Sequence, residues 1–252
     1  MSETIPRRSI ELSWRPSGEV PDPDSGWRAL GGLAELNGKL GAQIAGRSVS
    51  IVLERGEAWG PSPSADVALL TVEEGFVVVS AAMGDGAGNG AHQDNAGRRI
   101  VLATGASGTL LAPPGPDERL EAVTPSRITV ISADSLRVLL AFPAMAEAIA
   151  DALSVALAER QATIRNCAYV RHCERVREKL LQLARGYGRV VPGGVRIDFP
   201  LTQQLLADMI GSARETVSLA LAELVRDGFV HRQHGRYVLR IGSDDLVRRE
   251  HA

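Results

Sequence analysis

Cysteine is nearly absent: Cys167 and Cys173 are the only two in 252 residues. They sit in continuous helical texture, which gives neither a disulfide framework nor the CxxC spacing of a zinc or redox site. Their spacing does not place them on one helical face, so a bond between them would need unfolding. Two thiols also fall short of the four that an iron–sulfur cluster takes. Lysine is as scarce, with Lys39 and Lys179 against 26 arginines, a bias that fits GC-rich coding and carries no binding chemistry of its own. Long apolar runs are missing too. The most apolar stretch, residues 136–158, is interrupted by Arg137, Pro143, Glu147 and Asp151, and the opening MSETIPRRSIELSW has no apolar core of signal-peptide length. A reducing cytoplasm and no membrane are therefore expected. There is no HxH pair, and no strand-like run carries two metal ligands, which argues against a cupin-like enzyme. Nothing calls for a cofactor or a metal.

What is present is 44% hydrophobic residues, enough for real cores, on a chain long enough for two domains. The net charge of -2 conceals an asymmetry. Residues 171–252 carry 14 Lys+Arg against 10 Asp+Glu, and residues 1–170 carry 14 against 20. An acidic module joined to a basic one is expected.

Residues 1–26 mix Pro, Gly, Ser and Asp with little periodicity and read as an extended arm. From Ser48 short apolar runs recur between turn residues: SVSIVL, ADVALLTV, GFVVVSA, RRIVLAT, GTLLA and RITVIS. That is the texture of an antiparallel barrel or sandwich. One interruption, MGDGAGNGAHQDNAG at residues 83–97, is glycine-rich. Phosphate-cradling loops lie between a strand and a helix and usually supply GK[ST], whereas strands flank this one on both sides, so a mobile hairpin loop is expected.

Helical texture runs from Pro143 to about Gly186. Ala146, Ile149, Leu153, Ala156, Arg160, Ile164, Cys167 and Val170 recur at spacings of three and four, a narrow apolar stripe that either a second copy of the helix or the chain's own β-domain can cover. Homodimerisation through Ile149, Leu153, Ala156, Arg160, Ile164 and Cys167 is the expectation.

The segment LTQQLLADMIGSARETVSLALAELVRDGFV, residues 201–230, has a glycine between two amphipathic runs. Leu205, Leu206, Met209 and Ile210 form an inner face, and Ala207 permits a close crossing. Gly211 allows the tight turn. Ser212-x-x-Glu215 reads as a capping box at the second helix. Val217, Leu221 and Leu224 point inward, which leaves Arg214, Glu215, Ser218 and, obliquely, Leu219 outside. In the major groove an arginine at such a position bonds both guanine acceptors, and a carboxylate accepts from the cytosine amino group. Reading and capping compete for Glu215, and the two roles are not exclusive. Thr202, Gln203 and Ser212 are suited to phosphate positioning. FVHRQHGRYVL then flanks a His234-Gly235 turn, a small hairpin whose Arg232 and Arg236 face the flanking DNA backbone or simply solvent.

This stretch resembles the C-terminal winged helix of the Crp-Fnr family of bacterial transcription regulators, whose recognition helix opens R-E-T-V. The preceding VREKLLQLARG and the upstream β-rich region extend the likeness over roughly residues 45–240. The resemblance implies an α+β fold: an N-terminal antiparallel β-barrel or jelly roll, a long central dimerisation helix and a C-terminal winged helix-turn-helix. The expected boundaries are 1–26 for the arm, 27–142 for the cyclic-nucleotide-binding-like β-domain, 143–171 for the dimerisation helix and 172–252 for the DNA-binding domain. It further implies base contacts by Arg214 and Glu215, with Ser218 beside them, and a homodimer on palindromic half-sites in double-stranded DNA. Leu219 and Ala213 depart from the family pattern, which often has a basic residue and a hydroxyl there.

The family's β-domain often holds a cyclic nucleotide through Gly-Glu-Leu and a later Arg-Ser/Thr-Ala. Here GASGTLLAPPGPDERLEAVTPSRITVIS has no Gly-Glu pair, and Arg119 is the remaining phosphate candidate. Arg160 and Gln161 lie where the family's central helix meets its ligand. Cyclic AMP binding in the usual manner is not expected, and the effector is unknown. His92 in the glycine loop and His172 beside Cys173 are lone histidines, poor support for a haem site. Residues 189–199 form a loop whose family equivalent can meet RNA polymerase, and a hinge is expected at residues 170–174. The alternatives are a protein-interaction module with a DNA-incompetent winged helix and a cupin-like enzyme.

Overall fold

The structure is a computed structural model that describes residues 49–61, 65–82, 99–169 and 171–241. Expectations for the arm of residues 1–26, for the glycine-rich residues 83–97 with His92, and for the side chains of Ile164 and Cys167 lie outside the described residues.

The β-domain is built from β1 (Val49–Leu53), β2 (Ala58–Trp59), β3 (Leu69–Glu74), β4 (Phe76–Ala82), β5 (Arg99–Ala106), β6 (Leu110–Leu111), β7 (Glu118–Ala122) and β8 (Ser126–Ile131). They form two antiparallel sheets, ordered β1-β8-β3-β6 and β2-β7-β4-β5. Period-2 alternation turns Leu70, Val72, Ile128 and Val130 of one sheet toward Val77, Val79, Leu120 and Ala122 of the other, and these side chains make the core between them. The sheets face each other in jelly-roll fashion and do not close into a barrel.

Helix α1 (Ala133–Leu140) follows, capped by Ser132, whose Oγ accepts from the Ser135 N–H at 3.2 Å. Helix α2 (Pro143–Tyr169) is the long central helix. Its Met145 and Ile149 pack with Leu139 of α1 onto Leu69, Leu110 and Ile131, on the outer side of the first sheet. This corrects the expected dimer seam. Ile149 is buried by the chain's own β-domain, and Arg160 turns the same way, to an ion pair with Glu118 at 3.8 Å. The apolar side chains left outward are Leu153, Val155 and Leu157, and Ala156 is half-buried. Leu153 and Leu157 are successive on one side of the helix, a strip rotated from the inward one.

Helix α2 ends at Tyr169 and α3 (His172–Tyr187) begins after Arg171, which is extended. The C-terminal domain continues with β9 (Gly188–Val191), β10 (Gly194–Ile197), α4 (Gln203–Ile210), α5 (Arg214–Arg226), β11 (Val230–Gln233) and β12 (Arg236–Leu239). Residues 189–199, expected as a loop, are largely a hairpin. It joins the wing in one sheet ordered β11-β12-β10-β9. Gly194 makes this possible: at φ 147° it lies where a Cβ would run into the Leu239 carbonyl. The wing turns at His234 and Gly235, with φ of 49° and 76°, as a two-residue hairpin requires.

The two domains share one apolar core. Phe76, Val78 and Val101 on the outer side of the second sheet are buried with Val176, Leu180, Phe199, Leu206 and Met209 of the C-terminal domain. Phe76 stacks on Phe199 at 3.7 Å between centroids, and Tyr187 meets Phe76 edge-on at 4.9 Å. The Tyr187 hydroxyl lies 3.1 Å from Thr104 Oγ1. Arg99 pairs with Glu121 on β7 and reaches Asp208 on α4 at 3.9 Å. No single helix among the described residues is long and apolar enough to cross a membrane. Phe199→Ala should lower unfolding free energy by about 3 kcal/mol, read by urea denaturation, and should separate the unfolding of the two domains.

Candidate nucleic-acid interface

The helix-turn-helix is α4, a turn and α5. Thr202 caps α4, its hydroxyl oxygen accepting from the Leu205 N–H at 3.0 Å, so its side chain is a helix cap that can still donate outward. Gln203 is half-buried and Gln204 donates to Asp208 at 2.8 Å. Leu206, Ala207, Met209 and Ile210 are buried and Leu205 packs against the same core. Gly211 closes the helix at φ 60°, ψ 46°, left-handed backbone that glycine adopts without strain, and the following Ser212 N–H bonds the Ala207 carbonyl at 3.0 Å.

The turn is held from behind. Arg175 of α3, 6% exposed, donates from its guanidinium to the carbonyls of Ile210 and Gly211. A cation at the C-terminal carbonyls of α4 satisfies acceptors that the helix leaves without partners and meets the negative end of its dipole. Beside it His172 Nδ1 lies 3.1 Å from Ser212 Oγ.

That contact corrects the capping box. Ser212 is 8% exposed and turned toward α3, and α5 begins at Arg214 after Ala213, with no side-chain cap bond. The S-x-x-E spacing is present, but His172 occupies the serine hydroxyl. Ser212 is likewise withdrawn from the surface where it was expected to meet phosphate: its hydroxyl and its N–H are both engaged inside the domain.

On α5 the inward residues are Val217, Ala220, Leu221 and Leu224. Arg214, Glu215, Ser218 and Leu219 are exposed together on the opposite side. Without a capping bond the Glu215 carboxylate projects from the first turn of α5, beside Arg214. On the wing, Arg232 is exposed but tethered: it donates to the Tyr237 hydroxyl at 3.0 Å and lies 4.7 Å over that ring. Arg236 is half-buried at the other end of the hairpin turn.

The expected effector residues do not converge. Arg119 is exposed on β7, whereas Glu118, Leu120 and Ala122 alternate to the other side. Arg160 reaches Glu118, whose carboxylate also accepts from the Gly115 N–H at 3.1 Å, and Gln161 is exposed. Arg119 and Arg160 thus face away from each other across one strand and cannot clasp one phosphate. Among the described residues no group of three or more His, Cys, Asp or Glu is arranged to hold a metal. The Cys173 thiol is pushed above its ordinary pKa by burial, then by Glu223, with Glu174 and Asp227 adding to it, which favours the protonated form.

Arg175→Met should cost about 2 kcal/mol of stability, because the helix-end carbonyls lose their donor. Thermal unfolding checks this, with Arg175→Lys expected to recover part of the loss.

Residues 174–242 match the family described as the Crp-like helix-turn-helix domain. A curated relative from Mycobacterium tuberculosis, described as a CRP-like cAMP-activated global transcriptional regulator, is 41% identical over 75 residues. That match takes in 30% of this chain and 33% of the relative, so the chain aligns with about a third of its length. Among solved structures, a CooA variant from Carboxydothermus hydrogenoformans superposes with a TM-score of 0.65 at 21% identity, covering 85% of this chain and 93% of that one. FixK2 from Bradyrhizobium japonicum gives 0.63 at 20% identity, covering 79% and 95%. Residues 174–242 therefore match a Crp-like helix-turn-helix domain, and the chain as a whole shares its fold with these solved structures.

Proposed function

We propose that this protein is a DNA-binding transcription regulator that acts as a homodimer on a palindromic site. The observation that carries the reading is the exposed Arg214-Glu215 pair at the first turn of α5, displayed on a helix-turn-helix that its own domain holds rigidly. Arg214 would bond guanine acceptors, Glu215 the cytosine amino group and Ser218 an adjoining edge. Thr202 and Gln203 at the start of α4, with Arg232 and Arg236 on the wing, would set register on the phosphates.

The outward strip of α2 supports the dimer. Leu153, 38% exposed, and Leu157, 57% exposed, follow each other by one helical turn. A parallel copy of α2 packed there would place two recognition helices side by side, as half-sites about one helical turn apart require. The break between α2 and α3 is the hinge that would set their separation. The β9–β10 hairpin, exposing Arg189 and Val190, is the surface proposed to meet RNA polymerase.

The β-domain is proposed not to take cyclic AMP in the usual way. The supporting observations are the absent Gly-Glu pair and the engagement of Arg160 by Glu118.

Selection of bound duplexes from a random pool should yield one inverted repeat. Arg214→Ala and Glu215→Ala should each lose preference at particular bases at a cost of about 1–3 kcal/mol, and affinity should fall steeply with salt. Equal binding to all sequences would favour a protein-interaction module. Sedimentation equilibrium on Leu153→Asp with Leu157→Asp should give a monomer that has lost affinity for the inverted repeat.

A further inference from the structure

Leu219 is 74% exposed, more than any other large hydrophobic side chain among the described residues. Scattered exposed leucines are ordinary, so exposure by itself assigns nothing. Its position does. Leu219 shares the outer side of α5 with Arg214, Glu215 and Ser218, and the flanking Ala222, Glu223 and Arg226 are exposed with it. Leu219 therefore projects largely uncovered on the side that the reading above turns to DNA.

Glu215 and Leu219 are four residues apart, which is about 6 Å along a helix and about 40° around it. Base pairs are spaced by about 3.4 Å along a strand. When Glu215 meets a cytosine amino group, Leu219 falls one or two base pairs further along the groove. The major groove offers hydrogen-bond donors and acceptors at every position, and a leucine pressed on these leaves them without partners. The apolar group it offers is the methyl at C5 of thymine. A 5-methylcytosine presents the same methyl.

We propose that Leu219 is a specificity-determining residue that recognises a pyrimidine 5-methyl group in each half-site, one or two base pairs from the pair contacted by Glu215. The proposal rests on the DNA-reading function and adds the chemistry of one further position. Leu219 supplies an apolar contact where Arg214 and Glu215 supply polar ones, so the half-site combines hydrogen-bonded and methyl-dependent letters.

The test uses the full chain and the duplex obtained by selection. Each thymine of one half-site is replaced in turn by uracil, which removes the methyl and nothing else, and binding is followed by fluorescence anisotropy. At one position in the stated register the native protein should bind uracil about fourfold more weakly, the worth of one buried methyl. Leu219→Ala should bind thymine and uracil duplexes alike there while keeping preference at the Arg214 and Glu215 positions. Where that position accepts cytosine, 5-methylcytosine should bind better than cytosine for the native protein and not for Leu219→Ala, which separates the two sources of the methyl. Indifference to uracil at every thymine overturns this inference while leaving DNA reading intact, as does a thymine–uracil difference that survives in Leu219→Ala. A pool that yields no preferred sequence overturns both.

Discussion

The Arg175 guanidinium is the constraint on which the helix-turn-helix depends. It is a buried cation, and it tolerates that place because the last carbonyls of α4 converge on it. Arg175 belongs to α3, and the carbonyls belong to the turn that precedes α5. The bond therefore fixes the direction of α5 relative to the helix that leads in from the β-domain. His172 and Ser212 add a second tie across the same gap. With both in place, α3 is tied to the end of α4 and to the turn before α5. The extended Arg171 precedes this unit, outside the helix-turn-helix.

The second determinant is the apolar contact between the β4–β5 surface and the C-terminal domain. Phe76, Val78 and Val101 would be exposed on an isolated β-domain, and Phe199 and Tyr187 on an isolated winged helix. Each domain completes the other's core, which couples them more strongly than a polar contact of the same size. Arg99 adds direction, since it touches Glu121 in the sheet and Asp208 in α4 at once. The second sheet thus contacts α4 directly, without α2 between them.

Much of this was legible in the sequence because burial imposes periodicity. The runs around Val52, Leu70, Val78, Val101, Leu110 and Val130 are β1, β3, β4, β5, β6 and β8. The alternation at Val217, Leu221 and Leu224 gave the inward side of α5. What escaped lacked periodicity or depended on distant partners. Strand β2 has two residues and β7 reads ERLEA, too short and too charged to announce a strand, and α1 is a single short amphipathic segment. The β9–β10 hairpin hides in a glycine-rich stretch because its pairing partner, β12, comes about 40 residues later. Ser212 was misassigned because a local capping pattern yielded to His172, which is distant in sequence. On α2, spacing cannot tell which of two adjacent sides faces the chain's own sheet. Ile149 and Arg160 took the inner side, and Leu153 and Leu157 the outer.

The last described rung between β4 and β5 pairs Ala82 with Arg99. Closing that rung carries an entropic cost that grows only with the logarithm of the intervening length, about 0.6 kcal/mol for each doubling. The number of residues between Ala82 and Arg99 therefore weighs little on closing the rung. The rung itself weighs more, because Arg99 also reaches Asp208 on α4.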